Sequence, residues 1–147
     1  MLSMLPRSSR STFLALALVA IAAACNSLTS ASVAKSILIL NEDDSHFFGS
    51  RSAEQMNLEG LYAFVDQYAN TAVTHLFLCP NAMKASHRSQ ARDAIWEFKE
   101  GQKLPDNDFA KKWCDNARLL AERGLDPYAV WIARCRVKKI SPWLSMR

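Results

Sequence analysis

No stretch of this 147-residue chain has the length and apolarity of a membrane span. The apolar run from Phe13 to Ala24 is twelve residues long, whereas a transmembrane helix needs about 20. The four cysteines include no C-x-x-C pair, the close spacing on which most structural zinc sites are built. Lysine and arginine form no stripe with interleaved aromatics, which argues against a nucleic-acid partner. Ser45 has no histidine at a spacing that would make a nucleophilic triad. No internal repeat or low-complexity linker interrupts the chain. These gaps remove several function classes before any motif is read.

The sequence does contain enough apolar material for one globular domain, with half of its residues hydrophobic. The formal charge is +4, but Arg7 and Arg10 belong to a segment with the order of an export signal. Those two arginines form its positive start, Phe13 to Ala24 its apolar middle, and small residues follow. Residues 1–34 are therefore read as a signal peptide, and 16 basic residues face 14 acidic ones beyond Arg10. Two processing routes stay open. Ala22-Ala23-Ala24-Cys25 resembles a lipobox, in which Cys25 is the lipidated residue, although alanine stands where leucine is more usual. The other route is cleavage at an A-x-A-like site, at Ala22–Ala24 or near Ser32–Ala34. Either route predicts an exported protein, periplasmic, extracellular or lipid-anchored, with membrane contact only through that anchor or an uncleaved signal. Cys114 and Cys135 fall on expected helices and read as small core residues; no disulfide framework is expected.

The remainder is organised around Ser36-Ile-Leu-Ile-Leu-Asn-Glu-Asp-Asp-Ser-His-Phe-Phe-Gly49. Ile37 to Leu40 fit a strand buried on both faces, as in a parallel sheet. The polar residues that follow lie at its carboxyl end, where open α/β sheets and β/α barrels place ligand sites. A capping box, Ser52 with Gln55, opens a helix whose stripe is Leu58, Leu61, Tyr62, Val65 and Tyr68, read as core packing. Ala72 to Cys79 form the second strand, stopped at Pro80. A helix is expected over Ser89–Lys99 on the spacing of Ala91, Ile95 and Phe98. The next begins at Asp106 or Asn107, presents Phe109, Trp113, Ala117 and Leu120, and ends at Gly124. Asp126-Pro127 starts another, with Tyr128, Trp131, Ile132 and Cys135 facing inward and the basic run Arg134–Lys139 at its end. Ile140 to Arg147 are the third strand.

The expected fold class is α/β: three parallel strands with intervening helices, βα-βαα-β, after the signal segment. Such a set leaves an apolar strand at a sheet edge, and a closed (β/α)8 barrel takes about 250 residues. Residues 35–147 are therefore read as an incomplete β/α barrel domain. Four stretches carry a family resemblance: Asn41-x-Asp43, Asp66-Gln-Tyr-Ala-Asn-Thr-Ala-Val73, Leu78-Cys-Pro-Asn-Ala82 and Ile140-Ser-Pro-Trp-Leu-Ser-Met-Arg147. They resemble exported bacterial, glycoside-hydrolase-like (β/α)8 barrels of unassigned activity. The resemblance spans residues 36–147, about the first third of such a barrel, and implies a carbohydrate ligand.

Glycoside hydrolysis generally uses two carboxylates flanking the scissile bond. Only Glu42, Asp43 and Asp44 lie at an expected strand tip, and in related barrels the catalytic pair comes from later strands. No catalytic residue is assigned here. Asn41 and Asp43, pointing away from Glu42 by strand alternation, are candidates to hydrogen-bond sugar hydroxyls; for Asp43 the competing role is a helix cap. Asn81 and Arg147, at the second and third strand tips, complete the candidate ligand-binding set. Asp43, Asp44 and His46 with His75 or His87 are the one metal-like grouping considered, and it is disfavoured because His75 falls mid-strand, away from the tip, and His87 in a polar loop. No metal or cofactor is expected. Two functions follow: the N-terminal fragment of a carbohydrate-directed barrel, inactive alone, or a complete small exported α/β module that binds a ligand or partner without catalysis.

Overall fold

A computed structural model describes residues 36–80 and 83–146. The signal segment with Cys25, and also Asn81 and Arg147, lie outside the described residues. Strands β1 (Ile39–Asp43), β2 (His75–Cys79) and β3 (Ser141–Leu144) form a parallel sheet in the order β1-β2-β3. Ile39 pairs with His75 and His75 with Ser141; one step of two residues on, Asn41 aligns with Phe77 and Phe77 with Trp143. Among the described residues four helices accompany the sheet: α1 (Asp44–Ser50), α2 (Leu58–Asp66), α3 (Asp108–Glu122) and α4 (Pro127–Val137). The α/β class and three parallel strands agree with the sequence reading. Among the described residues no helix is long and apolar enough to cross a membrane.

Strand alternation divides the sheet into two unlike faces. Leu40, Leu76 and Leu78 point to the helices and join the core. That core is aromatic: the Phe47 ring centroid lies 5.2, 5.3 and 5.1 Å from those of Phe48, Phe64 and Trp131. Edge-to-face packing of this kind satisfies the ring quadrupoles, and each fully buried phenylalanine contributes roughly 1.5–3 kcal/mol by transfer from water. The opposite face of the sheet carries Ile39, Asn41, Phe77 and Trp143, and among the described residues no helix layer covers it. Consequently β1 is not buried on both faces as expected. Ile37, Leu38 and Ile39 are 69%, 47% and 56% exposed, and the strand runs on through polar Asn41–Asp43.

Helix α1 was not foreseen. Asp43 caps it, its carboxylate accepting from the Ser45 amide at 3.2 Å, and the turn drives Phe47 and Phe48 into the core. The Ser52–Gln55 capping box exists, but it closes a single 3-10 turn, Ala53–Gln55. Asn57 then caps α2 afresh, accepting from the Gly60 amide at 2.8 Å. This reset rotates Leu58 outward and makes Phe64, absent from the expected stripe, a core residue. Gly60 sits so close to the preceding turn that a Cβ there would lie 1.9 Å from the Gln55 carbonyl oxygen.

The helix expected over Ser89–Lys99 does not form. That connection holds one isolated bridge, Ala85 to Ala94. The Glu97 carboxylate accepts from the Ala94 amide at 2.9 Å, and the Ile95 amide goes to the Ala85 carbonyl at 2.9 Å. Amides that a helix would use internally are thus taken by other partners. The α3 and α4 boundaries follow the sequence closely. Asn107 caps α3, Gly124 takes φ +70° behind it, and the Asp126 carboxylate accepts from the Tyr128 and Ala129 amides. Two polar ties fix the helices to one another. Asn116 of α3 donates to the Phe48 and Arg51 carbonyls at 2.7 and 2.9 Å. Arg134 of α4 holds Asp66 at the end of α2 through two bonds, at 2.7 and 2.5 Å.

Candidate site at the strand tips

Alternation sends consecutive polar residues of β1 to different places, and each finds a different kind of partner. Asn41 projects from the uncovered face, where its Oδ1 accepts from the Ser145 hydroxyl at 3.4 Å. Beside it the Phe77 and Trp143 rings stack at 5.9 Å with 10° between planes. Glu42 points to the helix side. Its Oε1 accepts from the Tyr68 hydroxyl and its Oε2 meets His46 Nδ1 at 3.1 Å. Tyr68 is thus more than the packing residue the sequence stripe implied. Burial, then the bond to Glu42, push its phenol well above the ordinary range. Asp43 serves as the α1 cap.

Asp44 is the acid that the fold treats most unusually. As the first residue of α1 it is carried beneath α4 and is only 5% exposed. Tyr128, on the first turn of α4, donates its hydroxyl to Asp44 Oδ2 at 2.7 Å and also lies 3.3 Å from the Cys79 carbonyl at the end of β2. Burial raises the Asp44 carboxyl to about 6, against the lowering effects of the Ser86 and Tyr128 hydroxyls. Ser86 is itself fully buried; its hydroxyl stands near enough to favour the carboxylate while remaining outside good hydrogen-bond geometry. The Tyr128 phenol is pushed well up, first by burial and then by the adjacent Asp44 charge. His87 completes the group, its ring 5.2 Å from that of Tyr128 in an edge contact. A cavity of about 210 Å³ opens next to it, lined in part by His87, Arg88 and Asp126.

Of the sequence candidates, Asn41 and Asp43 are both at the β1 tip, one on the open face and one in the cap. Asn81 and Arg147 cannot be placed against them. Asp44, Tyr128, Ser86 and His87 escaped the sequence reading as a group. Tyr128 looked like one more inward helix residue, and only the rule that a buried phenol hydroxyl seeks a partner pointed further. The three histidines stay apart: His46 is with Glu42, His75 with Thr74 at 2.8 Å, and His87 against Tyr128. Among the described residues no three His, Cys, Asp or Glu side chains converge as a metal site would require. Among the described residues Cys79, Cys114 and Cys135 form no disulfide with one another, and burial raises the Cys135 thiol to about 11.

No protein-family model matches this chain, and comparison with curated proteins yields no match.

Proposed function

We propose that this chain is the N-terminal part of an exported, glycoside-hydrolase-like (β/α)8 barrel, directed at carbohydrate and without hydrolytic activity by itself. The observation that carries the reading is the uncovered sheet face. Among the described residues, three parallel strands with helices on one side only, and half-exposed apolar residues on the other, suit a segment of a barrel wall whose inner face meets further strands. Both borders of the sheet need the same kind of neighbour. At β3, Trp143 on the open face and Leu144 on the helix face are each 52% exposed, so the missing contact is with a strand and a helix together. Ile37, Leu38 and Ile39 make the same demand at β1.

The acids support leaving catalysis to other strands. Glu42 is turned to the helix side, Asp43 caps α1, and Asp44 lies beneath Tyr128. Among the described residues, no two carboxylates face each other across the open side as glycoside cleavage requires. Asn41, with Asn81, Arg147 and Asp43, would then form one wall of a sugar-binding mouth. Export rests on the residue order of the 1–34 segment, with Cys25 as its lipidation site if the lipobox is used.

A second reading, a small exported α/β module that binds without catalysis, draws support from the aromatic core, which closes without using the open face. Reading the coding sequence beyond Arg147 separates the two. A continuation encoding further β/α units supports the barrel. The extended protein should then bind glycans on an array, with Asn41→Ala weakening that binding. An unrelated downstream sequence, together with a monomeric 35–147 segment that unfolds cooperatively, would overturn the barrel in favour of the module.

A further inference from the structure

The Tyr128 hydroxyl has one hydrogen and two acceptors in reach. Asp44 Oδ2 is at 2.7 Å and the Cys79 carbonyl at 3.3 Å. The first belongs to the β1–α1 junction, the second to the end of β2, and Tyr128 itself to α4. We propose that a single proton on Asp44 decides which of the two strand ends Tyr128 holds, making this trio a proton-linked switch at the carboxyl edge of the sheet.

The exchange follows from donor and acceptor counting. With Asp44 ionised, the carboxylate can only accept, so the phenol hydrogen points to Oδ2 and the charge-assisted bond is the short one. Taking one proton from solvent turns the carboxyl into a donor. Its O–H then donates to the Tyr128 oxygen, and the phenol hydrogen rotates about its C–O bond to the Cys79 carbonyl. No bond other than the solvent proton transfer is made or broken, and Tyr128 stays neutral throughout. The ionisable groups facing the trio are Asp43 from β1, Cys79 from β2 and His87 from the 83–107 connection; Ser86 adds a hydroxyl beside Asp44. Burial of Asp44 brings its titration up to about 6, where modest acidification changes its state. The arrangement requires nothing of the carbohydrate reading.

Carbon-detected NMR of the full chain, titrated from about pH 4 to about pH 8 across the raised carboxylate range, tests the switch. The Asp44 side-chain carboxyl carbon and the Cys79 backbone carbonyl carbon should move along curves with one common midpoint. In Asp44→Asn the amide donates to Tyr128 permanently, so the Cys79 signal should stay at its low-pH position throughout. In Tyr128→Phe it should lose its pH dependence. A Cys79 carbonyl that does not move in the wild-type chain would overturn the proposal, as would one that keeps the same titration in Tyr128→Phe. The wild-type comparison decides the matter even if a variant fails to fold.

Discussion

The Ser145 hydroxyl and the Asn41 side-chain oxygen lie 3.4 Å apart, although a whole strand separates the segments that carry them. Neighbouring strands are spaced about 4.8 Å apart, so β1 and β3 backbones in a flat sheet stand roughly 9.6 Å from each other. Two short side chains barely bridge that gap unless the sheet curls toward them. The contact is made on the face where Phe77 and Trp143 also stack.

Titration of Asp44 gives stability an unusual pH slope. Its carboxyl moves from 3.8 to about 6 on folding, so the folded state binds the proton more tightly. The associated stability is fully present below 3.8 and disappears as the pH rises through about 6. A shift of about two units corresponds to roughly 3 kcal/mol at most. Asp66 works in the other direction. The Arg134 guanidinium holds its carboxyl below the usual range, so that contribution is present at neutral pH and lost on acidification. Urea unfolding of Asp44→Asn against the wild type, repeated across this range, isolates the Asp44 part. The advantage of the wild type should shrink from pH 4 to pH 7, and an advantage that grows would refute the assignment.

The Asp66–Arg134 tie is predicted to depend on the shape of the cation. Arg134 grips the carboxylate with two nitrogens and lies 4.5 Å from the Tyr62 ring centroid, while Lys138 adds a contact at 3.4 Å. Both Asp66 and Arg134 are part-exposed, so the expected loss of stability for Arg134→Ala is small. Arg134→Lys should recover less than half of it, because an ammonium reproduces neither the fork nor the stacking. Thermal unfolding of the two variants provides the comparison. Full recovery by lysine would mean that charge alone matters.

Much of this architecture is legible because local chemistry decides it. Gly124 and Asp126-Pro127 mark a helix end and a helix start through backbone needs that no distant contact overrides. The apolar run that ends at Cys79 likewise marks β2, whereas β1 keeps only Ile39 and Leu40 of its expected aliphatic run and continues through Asn41–Asp43. What escapes is decided by distance. Asp44 and Tyr128 are 84 positions apart, and nothing in either neighbourhood says that they meet. The Ser52–Gln55 capping box is read correctly as chemistry but attached to too long a helix, since the restart at Asn57 depends on how Gly60 packs. Over Ser89–Lys99 the apolar spacing is weak, and side-chain and long-range bonds to the backbone prevail. In the candidate site, alternation separates Asn41 and Asp43 from Glu42 and offers Asp43 as a cap, but no local signal marks Asp44 as the acid to be buried.

Gly60 offers a sharp check on that restart. The backbone φ there is not the obstacle; the Gln55 carbonyl oxygen occupies the space of a side chain. Gly60→Ala, which in an exposed helix would stabilise by up to about 1 kcal/mol, should instead destabilise by about 1–3 kcal/mol through overpacking. Chemical denaturation measures the sign. A stabilised Gly60→Ala protein would show that the 3-10 turn and α2 are free to separate.

Two tryptophans with opposite surroundings test the uncovered face. Trp131 is fully buried among Phe47, Phe48, Phe64 and Tyr128, whereas Trp143 is 52% exposed on the face away from the core. Truncating Trp131 to alanine removes a large buried ring and should cost about 3–5 kcal/mol. Trp143→Ala in the 147-residue chain loses mainly one stacking contact with Phe77, worth about 0.5–1.5 kcal/mol. Acrylamide should correspondingly quench Trp143 emission, read in a variant keeping only that tryptophan, far more than Trp131 emission read likewise. If further β/α units cover the face that carries Trp143, their addition should shield it, and Trp143→Ala should become several-fold more costly than it is here. A Trp143 that remains fully quenchable in the extended protein would mean that the face stays open to solvent. The barrel reading would then lose the observation on which it stands.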